Sequence, residues 1–167
     1  MWQKVGEMDV TDRLPNCIKR IKVYLKLYDD DWCAWNLLGC LYEIQADYDE
    51  SKGCFKTALD FNVNRNEDKI AISRNLARIC LKLNDLEGAN EILSSYSEIN
   101  WTDHALKALL LFKQGNVVES LEIFDNILEE LNGESFRDTV LFTVCRILWS
   151  IGTPEHIELA RSQALQR

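Results

Sequence analysis

The sequence predicts an all-α fold built from antiparallel helical hairpins. Residues 35–42 follow the pattern W-x2-L-G-x2-Y, and a second apolar stretch with Phe55 and Ala58 follows a short polar turn. Both stretches place apolar residues at the three- and four-residue spacing of a helix. No segment of the sequence shows the period-two alternation of apolar and polar residues that is typical of a half-buried strand.

The two apolar stretches contain small residues as well as large ones. Gly39 and Ser51 are small enough to let two paired helices approach closely, and Trp35, Tyr42 and Phe55 can fill the space beside them. The spacing resembles the tetratricopeptide repeat (TPR), in which W-x2-L-G-x2-Y precedes A-x3-F in a period of about 34 residues. Ser51 stands where that family usually has Ala. One such hairpin cannot bury its apolar face alone, so neighbouring copies are expected.

Weaker copies of the pattern divide the rest of the chain. The expected hairpins are a degraded one over residues 1–31, the strong one over 32–62, and further copies over 69–96, 102–131 and 135–167. The expected turns are at 46–48, 84–86 and 115–117. The resemblance implies that these hairpins stack as a right-handed superhelical solenoid in a single TPR-like domain. Because the first hairpin looks cut short and no extra capping helix ends the chain, we expect a part of a longer repeat protein, or ends that partners cover.

Local features predict where helices begin. The run Asp29 to Asp31 places carboxylates before the helix at Trp32, where free backbone N–H groups and the helix dipole favour them. Pro15 is expected at the start of a helix, because proline is tolerated at the first helical position. Thr153 and Pro154 predict the start of the last helix in the same way.

Composition excludes several classes of function. The 167 residues carry a net charge of −8, which argues against direct binding of nucleic acid, because phosphates need a clustered basic surface. No apolar run is long enough to cross a membrane. The six cysteines have no paired spacing, and His104 and His156 are far apart, so neither a disulfide framework nor a metal site is predicted. Reduced, mostly packed thiols point to the cytoplasm, with the nucleus as the alternative.

No catalytic pattern is present in the sequence. It has no glycine-rich phosphate loop, no nucleophile elbow, and no histidine beside a serine or cysteine with an orienting acid. The many aspartates and glutamates fall mostly on helix faces that should be solvated. We therefore expect neither an enzyme nor a cofactor, and we expect binding to other proteins.

The resemblance implies that the first helix of each hairpin lines a concave groove suited to partner segments. The projected groove positions include Asn36, Cys40 and Glu43 in the strong copy. Candidate partner-binding residues are Arg74, Arg78, Lys82, Leu109, Phe112, Phe142, Arg146 and Trp149.

The basic stripe, Arg74, Arg78 and Lys82, has a four-residue spacing that puts all three side chains on one helix face. Two interpretations stay open, a solvated charged face and a contact for an acidic partner segment. The aromatic groove residues pose a similar choice, between core packing and anchoring of a partner. A carboxylate clamp of the chaperone-binding type is not predicted, because Asn75 fits one clamp position but Asn36 and Cys40 depart from the expected Lys and Asn.

The order and spacing of hairpins over 55–83, 105–116 and 137–152 are also similar to the later part of the solenoid in the large repeat subunits of superkiller complexes. That resemblance implies a cytoplasmic, non-catalytic scaffold that binds a DExH-type RNA helicase and WD-repeat subunits. Such a scaffold supports exosome-mediated 3′-to-5′ mRNA decay without contacting nucleic acid itself. The alternative is a peptide-binding TPR adaptor that captures an acidic segment through the basic stripe.

Overall fold

A computed structural model describes residues 10–61, 63–97 and 100–131, and over these ranges the chain forms seven α-helices and no strand. The helices are α1 (Val10–Leu25), α2 (Trp32–Ile44), α3 (Tyr48–Asp60), α4 (Asn66–Lys82), α5 (Leu86–Ser94), α6 (Trp101–Lys113) and α7 (Val117–Glu130). The predicted all-α class is confirmed for this part of the chain. The hairpin predicted over 135–167 lies outside the described residues.

The chain forms two compact units, Met1–Asp85 and Leu86–Arg167. The stacking of all hairpins into one right-handed solenoid domain therefore stays a prediction. In the first unit, α2 and α3 pack as a hairpin, α1 packs against α2, and α4 packs mainly against α3. In the second unit, α6 packs against both α7 and α5.

The core of the first unit forms where α1, α2 and α3 meet. Ile18 and Leu25 of α1 contact Leu38 and Tyr42 of α2 and Cys54 of α3 in one buried cluster. Ile18 and Leu25 are seven residues apart, and Leu38 and Tyr42 are four apart. Each pair therefore lies on one helix face, and the apolar spacing read from the sequence becomes the packing surface.

The two helices of the α2–α3 hairpin touch through small residues. The ring of the fully buried Phe55 covers Gly39 so closely that a Cβ atom added to Gly39 would lie 2.7 Å from the ring. Beside this contact, the hydroxyl of Ser51 donates a 2.8 Å hydrogen bond to the carbonyl oxygen of Gly39. The predicted close approach is therefore present.

The α6–α7 hairpin repeats this contact. The buried Ser120 hydroxyl donates a 2.7 Å hydrogen bond to the carbonyl of Ala108, again across 12 residues of sequence. Phe124 follows Ser120 by four residues and is buried in a cluster with Ala108, Ile127 and other apolar residues of α6 and α7. The serine at this position therefore has two roles. Its small side chain allows close packing, and in both hairpins its hydroxyl donates a hydrogen bond from the second helix to the backbone of the first.

The turn after α2, the turn after α4 and the turn after α6 share one backbone conformation. Their middle residues have positive φ angles, 61° at Ala46, 60° at Asn84 and 90° at Gly115. In each turn the next N–H group donates a 2.9 Å hydrogen bond to a carbonyl five residues earlier; the pairs are Asp47–Tyr42, Asp85–Cys80 and Asn116–Leu111. This is the Schellman arrangement, which satisfies carbonyls left free at a helix end. The turns begin one residue earlier than predicted, because Tyr48, Leu86 and Val117 already belong to the following helices.

The predicted helix starts give two different outcomes. Asp31 caps α2 as expected, because its carboxylate accepts a 3.1 Å hydrogen bond from the backbone N–H of Ala34. The prediction for Pro15 is wrong, since α1 begins at Val10 and Pro15 lies inside it. Asn100 and Asp103 form a reciprocal capping box at the start of α6, a feature that was not predicted.

The positive φ angles predict opposite effects of glycine and alanine at two turns. Replacement of Ala46 by Gly should stabilise the protein by about 1 kcal/mol, because a left-handed conformation disfavours a Cβ atom. Gly115→Ala should destabilise by a similar amount. Chemical denaturation measures both changes, with Ala71→Gly in the exposed helix face of α4 as the control, expected to destabilise by about 1 kcal/mol. Loss of stability in Ala46→Gly would contradict the turn geometry.

The contact between Gly39 and Phe55 predicts that Gly39→Ala destabilises the protein by about 1 to 3 kcal/mol, because the added methyl group meets a fully buried ring. Gly53→Ala is the matched control on α3. A Cβ atom there has nothing within 4 Å, so this variant should be stabilised by about 0.5 to 1 kcal/mol. Equal unfolding free energies for the two variants would show that α2 and α3 are not in close contact.

Candidate functional site

Two cations of the basic stripe bind a carboxylate of the same chain. Arg78 of α4 donates hydrogen bonds to both oxygens of Glu43 on α2, at 2.9 Å from Nε and 2.6 Å from Nη2. Lys82, one turn further along α4, donates to the same carboxylate at 2.8 Å. The Glu43 side chain keeps 14% of its surface exposed, compared with 43% for Arg78 and 38% for Lys82. The carboxylate is thus the inner group of this cluster and the cations are its outer part.

Two asparagines extend the cluster along both helices. Arg78 Nη2 also donates to the side-chain oxygen of Asn75 at 3.1 Å, and the Asn75 amide donates to the side-chain oxygen of Asn36 at 3.2 Å. We call these five residues, Asn36, Glu43, Asn75, Arg78 and Lys82, the Glu43 network. It joins α2 and α4 of the first unit by side-chain hydrogen bonds.

The electrostatics of the network follow from this arrangement. Burial alone would raise the pKa of Glu43, but the hydrogen bonds from Arg78 and Lys82 outweigh it and lower the pKa below its usual value. The Lys82 ammonium also lies 5.0 Å from the ring centroid of Tyr48, within the range of a cation–π contact. Cys40 lies on the same side of α2, and burial raises the pKa of its thiol, so it is a poor nucleophile at neutral pH.

The sequence pattern predicts Glu43, Arg78 and Lys82 in the groove, but it predicts no pairing between them. The pairs span 35 and 39 residues, and a helix spacing rule relates only residues within one helix. Arg74, the third residue of the basic stripe, is half-buried on the same face of α4. That the stripe contacts an acidic partner segment stays a prediction.

The other candidate groove residues lie elsewhere. Leu109 and Phe112 of α6 are half-buried and pack against the core cluster of the second unit, beside Ala108 and Phe124. Their contacts therefore serve the α6–α7 core, and a partner contact at these positions stays a prediction. Phe142, Arg146 and Trp149 lie outside the described residues.

The described residues include no cluster of three or more side chains that could hold a metal ion. Among the helices over the same ranges, none is long and apolar enough to span a membrane. The five described cysteines are free thiols: Cys54 and Cys80 are buried, Cys40 is half-buried, and Cys17 and Cys33 are exposed, where mostly packed thiols were expected. Burial raises the pKa of Cys54 to about 11, which leaves it protonated at neutral pH.

Comparison with known proteins gives a distant match. No protein-family model matches the chain. Over 129 residues the chain is 25% identical to the N-terminal acetyltransferase A complex auxiliary subunit NAA15 of Arabidopsis thaliana, a match that covers 74% of this chain and 14% of that protein. The match gives no support to the predicted relation to superkiller subunits. Repeated helical hairpins and a distant likeness to an auxiliary subunit are together consistent with a TPR-like protein.

Proposed function

We propose that this chain is a non-catalytic protein-interaction scaffold, a TPR-like part of an auxiliary subunit in a larger complex. The observation that carries the proposal is the Glu43 network, which joins α2 and α4 of the first unit into one surface. A surface whose long side chains are already ordered by internal hydrogen bonds loses less conformational entropy when a partner binds. Such a surface is better suited to binding a partner protein than to catalysis.

The distant relative supports an auxiliary role. NAA15 is by its name an auxiliary subunit of an acetyltransferase complex, and the corresponding proposal here is a scaffold that binds a catalytic subunit of another chain. The superkiller-type scaffold is supported only by the order of the hairpins, so we rank it below the auxiliary-subunit role. That scaffold would bind a helicase and WD-repeat partners and support mRNA decay. The cytoplasmic location is likewise a prediction from sequence alone.

The peptide-binding adaptor remains the alternative function. The outer surfaces of Arg78 and Lys82 are exposed, so an acidic segment can approach them. That segment must compete with Glu43, which already neutralises part of their charge. The internal carboxylate therefore lowers the affinity expected of the basic stripe for acidic partners, and this favours the scaffold over the adaptor.

Retention of partners from an extract distinguishes these functions. Cytosolic extract is incubated at low and high salt with the tagged chain, with its Arg78→Ala variant and with a control variant, Lys56→Ala. The control removes an exposed charge of α3. A scaffold should retain its partners in high salt and in Arg78→Ala, because a large interface depends on many residues.

The identity of the retained proteins then ranks the proposals. Retention of an acetyltransferase catalytic subunit supports the auxiliary role, and retention of a helicase with a WD-repeat protein supports the superkiller-type complex. Acidic proteins that wash off in salt and are lost with Arg78→Ala would establish the adaptor instead. If no protein is enriched over a tag-only control, the scaffold proposal is wrong.

The Glu43 network also predicts an acid-sensitive part of the stability. Glu43→Gln should destabilise the protein by about 1 to 2 kcal/mol at pH 7, because two partly buried cations lose their anion. The folded pKa of Glu43 is below the unfolded value of about 4.3, so its contribution is complete above that pH and is lost as the pH falls through the folded pKa.

The difference in unfolding free energy between wild type and Glu43→Gln should therefore shrink as the pH falls below about 4.3. Urea denaturation between neutral and acidic pH measures it. Glu91→Gln, an exposed glutamate of α5, is the control and should change stability little at any pH. A difference that is absent at pH 7, or the same across the range, would show that the network does not hold α2 and α4 together.

A further inference from the structure

A cleft of about 280 Å³ lies between α1, α2 and α3 and shares no residue with the Glu43 network. Its inner surface is apolar and is built from the buried residues Leu25, Leu38, Tyr42 and Cys54. The Cys54 thiol is protonated at neutral pH, so it contributes apolar surface to the cleft and no nucleophile. The inner part of the cleft is therefore suited to an apolar group.

Charged side chains surround the cleft. Lys22 and Lys26 lie one turn apart on α1 and both are exposed, whereas Glu50 stands on α3. The Lys22 ammonium lies 5.1 Å from the ring centroid of Tyr42, which places a cation directly beside the apolar surface. With two cations and one anion, the charge around the cleft favours an acidic group next to the apolar one.

We propose that this cleft receives a single large apolar side chain of a partner protein, with an adjacent carboxylate of that partner binding Lys22 and Lys26. The inference rests on the proposed function as a protein-interaction scaffold. The volume is slightly below the range of about 300 to 1,000 Å³ that is usual for small-molecule sites, and it suits one anchoring side chain. Buried apolar anchors of this kind supply most of the binding energy at many interfaces, and the charged rim adds selectivity.

A blocked tetrapeptide, acetyl-Ala-Phe-Asp-Ala-amide, is the probe, titrated into the isotope-labelled full chain and followed by NMR. The indole N–H of Trp35 reports binding, because Trp35 lines the cleft and its Nε1 donates a 2.7 Å hydrogen bond to the carbonyl of Asp29. We expect a saturable shift of this resonance. A peptide with Ala in place of Phe should bind about tenfold more weakly, and a peptide with Asn in place of Asp about two- to fivefold more weakly.

The double variant Lys22→Glu/Lys26→Glu should also bind the probe about tenfold more weakly. Its matched control is Arg13→Glu/Arg20→Glu, which makes the same charge change on α1 at exposed positions pointing away from Lys22, since a helix turns about 100° per residue. The control should bind the probe like the wild type. Circular dichroism of both variants confirms that the helices are intact.

Three outcomes of the peptide titration would overturn the inference. One is the absence of a shift at Trp35, and another is equal binding of the Asp and Asn peptides. The third is a shift of the Trp35 resonance with protein concentration alone, which would show that a second copy of the chain occupies the cleft. If partners are retained from extract equally by the wild type and the Lys22→Glu/Lys26→Glu variant, the scaffold proposal stands and only the cleft is wrong.

Discussion

The structure depends on how closely two helices of a hairpin can approach. In the α2–α3 hairpin the limit is set by Gly39, on which the buried ring of Phe55 rests, and by Ser51, which binds the Gly39 carbonyl. The α6–α7 hairpin meets the same constraint with Ala108 and Ser120. Because the serine hydroxyl donates a hydrogen bond to a backbone oxygen of the first helix, it fixes the position of the second helix along the axis of the first. The positions of the other side chains depend on this alignment of the two helices.

This packing has a consequence for function. It fixes the direction in which each helix points the side chains that do not pack into the core. On α2, one face packs into the core through Leu38 and Tyr42, and another carries Asn36 and Glu43 towards α4. The Glu43 carboxylate is held by two cations, so the surface between α2 and α4 is preorganised by internal bonds. A surface whose side chains are already ordered loses less conformational entropy when a partner binds, and the proposed scaffold role rests on this property.

The same packing also leaves a space between α1, α2 and α3. The cleft there uses the core-facing residues of α2 as its inner surface and the charged face of α1 as its rim. The Glu43 network and the cleft use different faces of α2 and share no residue.

Sequence alone determined the helical class and the capping of α2 by Asp31. These features depend on residues within a few positions of one another, where periodicity and capping chemistry are direct. Only tertiary structure decided that Glu43 binds Arg78 and Lys82 and that Ser51 binds the Gly39 carbonyl. It also decided that Lys22 lies over the Tyr42 ring beside a cleft. These contacts join residues on different helices, and their distances depend on the packing angle and separation of those helices, which one-dimensional spacing does not contain.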